Sequence, residues 1–272
     1  MATVRHYHHH YHFSYETSLR KHVFSIIIVT VLLGSAFLYF LHLVFPSKPL
    51  INTEQISVIG LIYASVATLL RLTIAYFISL VLSIPLALFI TKNEKYERIL
   101  LPFFDILQSV PVLAFFPIVV LVFVHIKFFN GAAVFILTLA MLWNLVFSII
   151  GGLKIIPQDI NFASFVFGAR GVKKLFYVTL PAIFPYMVTG SLLAWAQGWN
   201  LLIVAEVLHN YIPGGDSSQD LYGLGTLLVT GTFQGKNLVF LSSLVVMIVL
   251  IGLINFFVWQ KLLHMAERYK FD

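Results

Sequence analysis

Apolar residues fall into runs of about twenty, separated by short polar or charged breaks, across almost the whole chain. A run of that length without charge is the signature of a helix that crosses a bilayer. The runs predict spans over residues 23–45, 72–90, 99–124, 132–150, 183–208 and 238–259. Pro46 and Pro49 close the first run, and a short polar linker follows to Ser57. Residues 58–90 form one apolar stretch too long for a single untilted span, and Arg71 divides it. We therefore expect an interfacial helix over 58–70, a span over 72–90, and Arg71 as an anchor snorkelling to the membrane surface. The fold class expected is all-α: a polytopic membrane bundle of six transmembrane helices with a cytoplasmic helix. Its parts are a His-rich tail (1–21), a first span and linker (22–57), the main membrane domain (58–260) and a tail (261–272).

Composition agrees with this pattern. The chain has 272 residues, 60% hydrophobic and 10% charged, with mean hydropathy +0.94, which places it among membrane proteins. There is no cysteine, which removes disulfide and thiol chemistry. No cleavable signal peptide is expected, because the first apolar run follows a polar stretch and has no small-residue cleavage site. The net charge of +6 is an orientation signal. With both termini in the cytoplasm, thirteen Lys and Arg residues lie inside and only Lys48, Lys127 and Lys236 outside. The chain is thus expected to be multi-pass in the cytoplasmic (inner) membrane, with lipid as a partner and no nucleic acid.

The breaks carry the candidate chemistry. Prolines 102, 111 and 117 interrupt the 99–124 run, and Gln108, Ser109 and Pro111 place polar side chains at a broken helix. Such a segment fits a substrate pathway, or equally a kink with Ser109 bonded to its own helix. Gln197, Asn200 and Glu206 share the 183–208 run and should face the bundle interior. Hydrogen bonding between helices is the default role for the first two, with substrate contact second. Glu206, read as near the outer surface, either gates the path or pairs locally, and Asp105 sits near the inner end of its run. Gly151-Gly152 is expected to end the fourth span. Residues 231–237, GTFQGKN, resemble a phosphate loop but have Thr230 for the first glycine and Asn237 for the Ser/Thr, so no nucleotide site is expected. Five histidines within residues 6–12 fit a disordered tail better than a metal site, since no acidic ligand is near. No catalytic cluster and no metal site are assigned.

The stretch 157–185, PQDINFASFVFGARGVKKLFYVTLPAIFP, mixes phenylalanines with Arg170, Lys173 and Lys174. An aromatic and basic helix offered to a partner at the membrane surface fits that composition. Gly168 permits a bend, and Leu180-Pro181 is expected to stop the helix. The pattern Ala163-Ser164, Gly168, Phe176, Leu180-Pro181 and Pro185 resembles the "EAA…G…LP…P" cytoplasmic loop of binding-protein-dependent ABC transporter permeases. The resemblance runs from about Ser65 to the C-terminus. It is nearest the nitrate/sulfonate/taurine branch, through SLxR, SxPxxAxxP, LPAxxPxxxxG and GLG, the last standing here as Gly223-Leu224-Gly225.

That resemblance implies an ABC importer permease for a small anion or organic solute. Its loop (157–181) would couple to a separate ATPase through Phe162, Ala163, Ser164, Gly168, Arg170, Lys173, Phe176, Leu180 and Pro181. ATP and Mg would be bound by the ATPase, with no cofactor on this chain and no enzymatic activity of its own. The partners implied are two ATP-binding cassette ATPase subunits, a second permease subunit (homo- or heterodimer) and an extracytoplasmic substrate-binding protein. The family's glutamate falls on Phe162 and its second alanine on Ser164, which leaves open an unusual heterodimer half or an ATPase with an apolar cleft. The alternative function is an ion-coupled secondary transporter, for which Asp105 and Glu206 are the only ionisable candidates within the runs.

Overall fold

A computed structural model describes residues 58–269, whose regular elements are all helices, with no strand among the described residues. The first predicted span (23–45) and the histidine tail lie outside the described residues. The elements are α1 (Val58–Ile90), α2 (Glu94–Ser109), α3 (Phe116–His125), α4 (Phe129–Ile155), α5 (Gln158–Val166), α6 (Val172–Glu206), α7 (Leu224–Phe233) and α8 (Asn237–Glu267). Of these, α1, α4, α6 and α8 are long and apolar enough to cross a membrane.

The centre is a three-helix core in which α4 packs between α1 and α6. Leu72, Ala75, Leu137, Met141, Leu145, Ala194 and Leu202 are buried at their contact. In lipid no hydrophobic force draws one helix to another, so close approach and hydrogen bonds must hold this seam. Glycine supplies the approach. A Cβ on Gly190 of α6 would stand 2.5 Å from the Ser148 Cβ of α4. Ser79 supplies a polar tie, its Oγ lying 2.7 Å from Ala75 O and 2.9 Å from Thr138 O, so its one proton bridges α1 and α4.

Several expected boundaries are corrected. The 58–90 stretch is one continuous helix rather than an interfacial helix and a span, because Arg71 turns inward to a buried partner and gives the chain no reason to leave the helix. The 99–124 run is not one span but α2 and α3. Asn93 caps α2 by accepting the Tyr96 N–H at 2.9 Å, and the helix ends at Ser109 because Pro111 forces Val110 into an extended conformation (ψ 124°). Pro102 stays inside α2, and Pro117 stands in the first turn of α3, where its missing N–H costs nothing.

Gly151-Gly152 does not break the fourth span. α4 runs through both to Ile155, and Gly152 instead makes room for Tyr186, which a Cβ would meet at 2.9 Å. Leu180-Pro181 does not stop a helix either: α6 is continuous from Val172. A π turn over Leu175–Thr179 widens the helix just ahead of Pro181, where the ring needs space from the preceding carbonyls. α6 ends at Glu206 rather than at 208.

Gly190→Leu should lower stability by about 1–3 kcal/mol, as overpacking does. Thr189→Leu, one residue away on the exposed face, should change it by about 0.5 kcal/mol or less. Thermal unfolding of the purified chain in detergent compares the two; equal losses would contradict the glycine-mediated seam.

Candidate functional site

At one end of the bundle, α4 and α6 are joined by a turn built around α5. Ser164 is its buried residue and donates to Asn161 O at 2.7 Å. The opposite face is open: Phe162, Phe165 and Phe167 are 67%, 60% and 87% exposed, and Ala163 is exposed beside them. Gly168 (φ +71°) and Gly171 (φ +59°) hold left-handed backbone and reverse the chain into α6. Between them the Arg170 guanidinium lies 4.7 Å over the Phe165 ring, a cation–π contact that fixes the charge at the edge of the aromatic face. Lys173 and Phe176 are exposed in the first turns of α6, and Leu180 packs partly buried on the inner core beside Ile183. Pro181 is half-buried. The expected bend at Gly168 is therefore present, and Val166 and Tyr177, not singled out in the sequence, add to the exposed apolar surface. Lys154 at the end of α4 pairs with Glu97 of α2 just above this turn.

The expected pathway residues fall in two places. Gln108 donates to Asp105 Oδ1 at 2.8 Å and Ser109 to Asp105 O at 2.8 Å, so both bond within their own helix at the exposed end of α2 beside Pro111. Gln197 is half-buried and Asn200 exposed on α6, in a stripe with Leu193, Ala196 and Ile203. Neither side chain makes the interhelical hydrogen bond expected of it among the described residues; the register of α6 turns Asn200 away from α4.

Glu206 is displaced furthest from expectation. It is fully buried rather than near the surface, and Arg71 is 5% exposed rather than snorkelling. Arg71 Nη1 donates to Glu206 Oε1 at 2.8 Å and to Tyr222 O at 3.0 Å, while its Nε donates to Asn130 Oδ1 at 2.9 Å. Thr68 donates to Glu206 Oε1 at 2.7 Å and accepts the Leu224 N–H at 3.0 Å; the Gly225 N–H reaches Glu206 Oε2 at 2.8 Å. One carboxylate thus joins α1, the end of α6 and the start of α7, accepting the Gly225 N–H itself while Thr68, which it orients, accepts that of Leu224. A Cβ at Gly223 would stand 2.2 Å from Glu206 Oε1, and one at Gly225 2.9 Å from Oε2. Gly-Leu-Gly is required because the carboxylate occupies the space of two side chains. The signal was present in the sequence as one arginine and one glutamate in separate apolar runs, a combination expected to pair.

The loop from α6 to α7 is held by Asp220, which accepts the His209 backbone N–H at 3.0 Å and lies 2.7 Å from the His209 ring Nδ1. Tyr222 donates to Gly60 O at 3.1 Å, and burial, with a smaller effect of Tyr63, holds its phenol above the usual value.

Residues 79–267 match the family described as binding-protein-dependent transport system inner membrane component. Among curated relatives, the bicarbonate transport system permease protein CmpB of Synechococcus elongatus is 29% identical over 155 residues, 57% of this chain and 55% of the relative. The nitrate import permease protein NrtB of Leptolyngbya laminosa is 29% identical over 167 residues, 61% and 59% of the two chains. The taurine transport system permease protein TauC of Escherichia coli is 27% identical over 142 residues, 52% and 50% of the two chains. The chain therefore spans between half and three-fifths of the length of these relatives.

Glu206→Gln or Arg71→Met should each cost about 3–5 kcal/mol, because each strands the other charge in the bundle. The double variant Arg71→Met/Glu206→Gln should cost clearly less than the sum of the two, because neither charge is then left without its counter-charge. Unfolding midpoints of the three variants test this; a double variant as unstable as the sum of the singles would contradict the pairing.

Proposed function

This chain belongs to the binding-protein-dependent transport system inner membrane component family, and we propose that it is the membrane-spanning subunit of an ATP-driven importer. The observation that carries the proposal is the turn at 158–177. An uncovered aromatic face with cations along its edge stands at one end of a packed bundle, and such a surface calls for a protein partner. The partner is a separate ATPase, which binds ATP and Mg. Phe162, Ala163, Gly168, Arg170, Lys173 and Phe176 form the contact; Ser164, Leu180 and Pro181 hold it in shape. The excess of Lys and Arg on this side supports a cytoplasmic position for the turn and for both termini, in the inner membrane.

Two copies, or this chain and a related one, would enclose the path, with Gln108, Ser109, Pro111, Gln197 and Asn200 on the uncovered faces of α2 and α6 as its lining. Glu206 is assigned to holding the outer half of the bundle together. An external binding protein would deliver the solute. The relatives named for bicarbonate, nitrate and taurine favour a small anion or sulfonate. Rocking of the bundles as the ATPases close would then alternate access. An ion-coupled transporter fits less well: Glu206 is already matched by Arg71, and Asp105 is engaged by Gln108 at an exposed helix end.

Gly168 tests the coupling. No atom stands within 4 Å of a Cβ there, so a substitution acts through its left-handed backbone alone. Gly168→Val should weaken ATPase retention about tenfold or more, while Gly168→Asn, which tolerates that conformation, should keep most of it. Co-purification of the ATPase with each variant decides: equal retention, or no ATPase on the unaltered chain, would contradict the proposal.

A further inference from the structure

α2 divides into three lines of side chains at three- and four-residue spacing. Leu100 and Phe104 turn inward onto the core, the Phe104 ring 5.5 Å from that of Trp143. Ile99, Phe103 and Ile106 are exposed and apolar, a line suited to lipid. Arg98, Pro102, Asp105 and Ser109 are exposed along the third line, with Gln108 at its edge. Arg98 belongs to the charged start of the helix, beside Glu94, Lys95 and Glu97. Asp105 lies two turns further, roughly 10 Å along the axis and within the apolar part of the helix.

A carboxylate at that depth is costly against hydrocarbon, so the third line borders water or solute. Among the described residues its side chain has one partner: Gln108 donates to Oδ1 at 2.8 Å, which holds the carboxylate in place, and Oδ2 receives no donor. No Lys, Arg or His of the described residues forms an ion pair with it. Glu206, the other carboxylate within an apolar run, is by contrast buried and neutralised by Arg71. Asp105 is therefore a negative charge held in position, exposed and without a counter-charge.

We propose that Asp105 makes this line a subsite for a positively charged group, so that the transported solute carries an ammonium or other cationic nitrogen and is not a simple oxyanion. The proposal rests on the path described above, along the uncovered faces of α2 and α6. The polar side chains assigned to that path, Gln108, Ser109, Gln197 and Asn200, are all uncharged, so selection by charge falls to Asp105. An unpaired carboxylate in a passage with low-dielectric walls repels a bare anion and concentrates cations. A zwitterion such as an aminosulfonate meets both demands. Its ammonium takes the free oxygen of Asp105, and its acidic group is left to neutral amide donors such as those of Gln197 and Asn200.

The chain has no cysteine, so Ser109→Cys introduces a single thiol one turn from Asp105. Its modification in the full-length protein in native membranes is followed with two methanethiosulfonate reagents, one carrying trimethylammonium and one carrying sulfonate. Each rate is corrected for that with a free thiol in water. The cationic reagent should react about tenfold faster or more, and adding Asp105→Asn should bring the two rates within about threefold of each other. No labelling by either reagent, a faster anionic reagent, or a ratio unchanged by Asp105→Asn would overturn the proposal. This labelling needs neither an ATPase nor a solute, so its failure is distinct from a failure of the importer reading. In proteoliposomes with the ATPase and the binding protein, ATP-driven uptake should favour taurine or choline over isethionate and nitrate, and Asp105→Asn should lower it about tenfold. ATP-driven uptake that prefers isethionate or nitrate would overturn the subsite and leave the importer standing.

Discussion

The structure hangs on one buried carboxylate. Glu206 ends α6 inside the bundle, and its two oxygens take donors from α1 (Thr68 and Arg71) and from the first turn of α7. Removing such a charge from water costs several kcal/mol, which is recovered only if every lone pair finds a donor. That demand fixes the rest of the outer half. Thr68 and Arg71 must lie on one face of α1, one turn apart. Asn130 must open α4 at the same depth to receive the Arg71 Nε. Positions 223 and 225 must lack side chains. A half-length helix, too short to span, is thereby held at a defined depth.

The two ends of the bundle are built on opposite principles. At the Glu206 end polar groups are satisfied internally and buried. The α5 end leaves its aromatic rings exposed, held in position by two left-handed glycines and the packing of Leu180. The α4–α6 seam connects the two ends, and α6 runs from the turn to Glu206 as one continuous helix. A π turn at Leu175–Thr179 lies where the turn joins the helix, and Pro185 follows inside it.

Much of this was legible in the residues. Apolar runs mark the membrane class and the four long helices among the described residues, and the mix of phenylalanines and cations at 157–185 marks the segment whose aromatic face is exposed. Boundaries were less legible, because proline and glycine act through context. Pro181 reads as a stop, yet a widened turn accommodates it; Gly151-Gly152 reads as a break, yet it is a packing notch for Tyr186. The position of Arg71 is hidden for a related reason. A lone arginine in an apolar run fits a snorkelling anchor as well as a buried ion pair, and only the distance to Glu206, 135 residues on, separates the two. Asn200 and Gln197 were expected in the interior, and the helix register that exposes Asn200 is set by Gly190 and Gly198, which turn the opposite side of α6 toward α4 and α1.

The central claim is that this bundle moves solute by taking work from a separate ATPase. The most direct measurement is uptake of labelled nitrate, bicarbonate and taurine into proteoliposomes that hold the permease, its ATPase and the binding protein, with ATP trapped inside the ATPase-facing compartment. The account predicts uptake of at least one of these solutes that needs hydrolysable ATP and is unchanged when ionophores collapse every ion gradient. Uptake that persists without ATP and disappears with the gradients would contradict it.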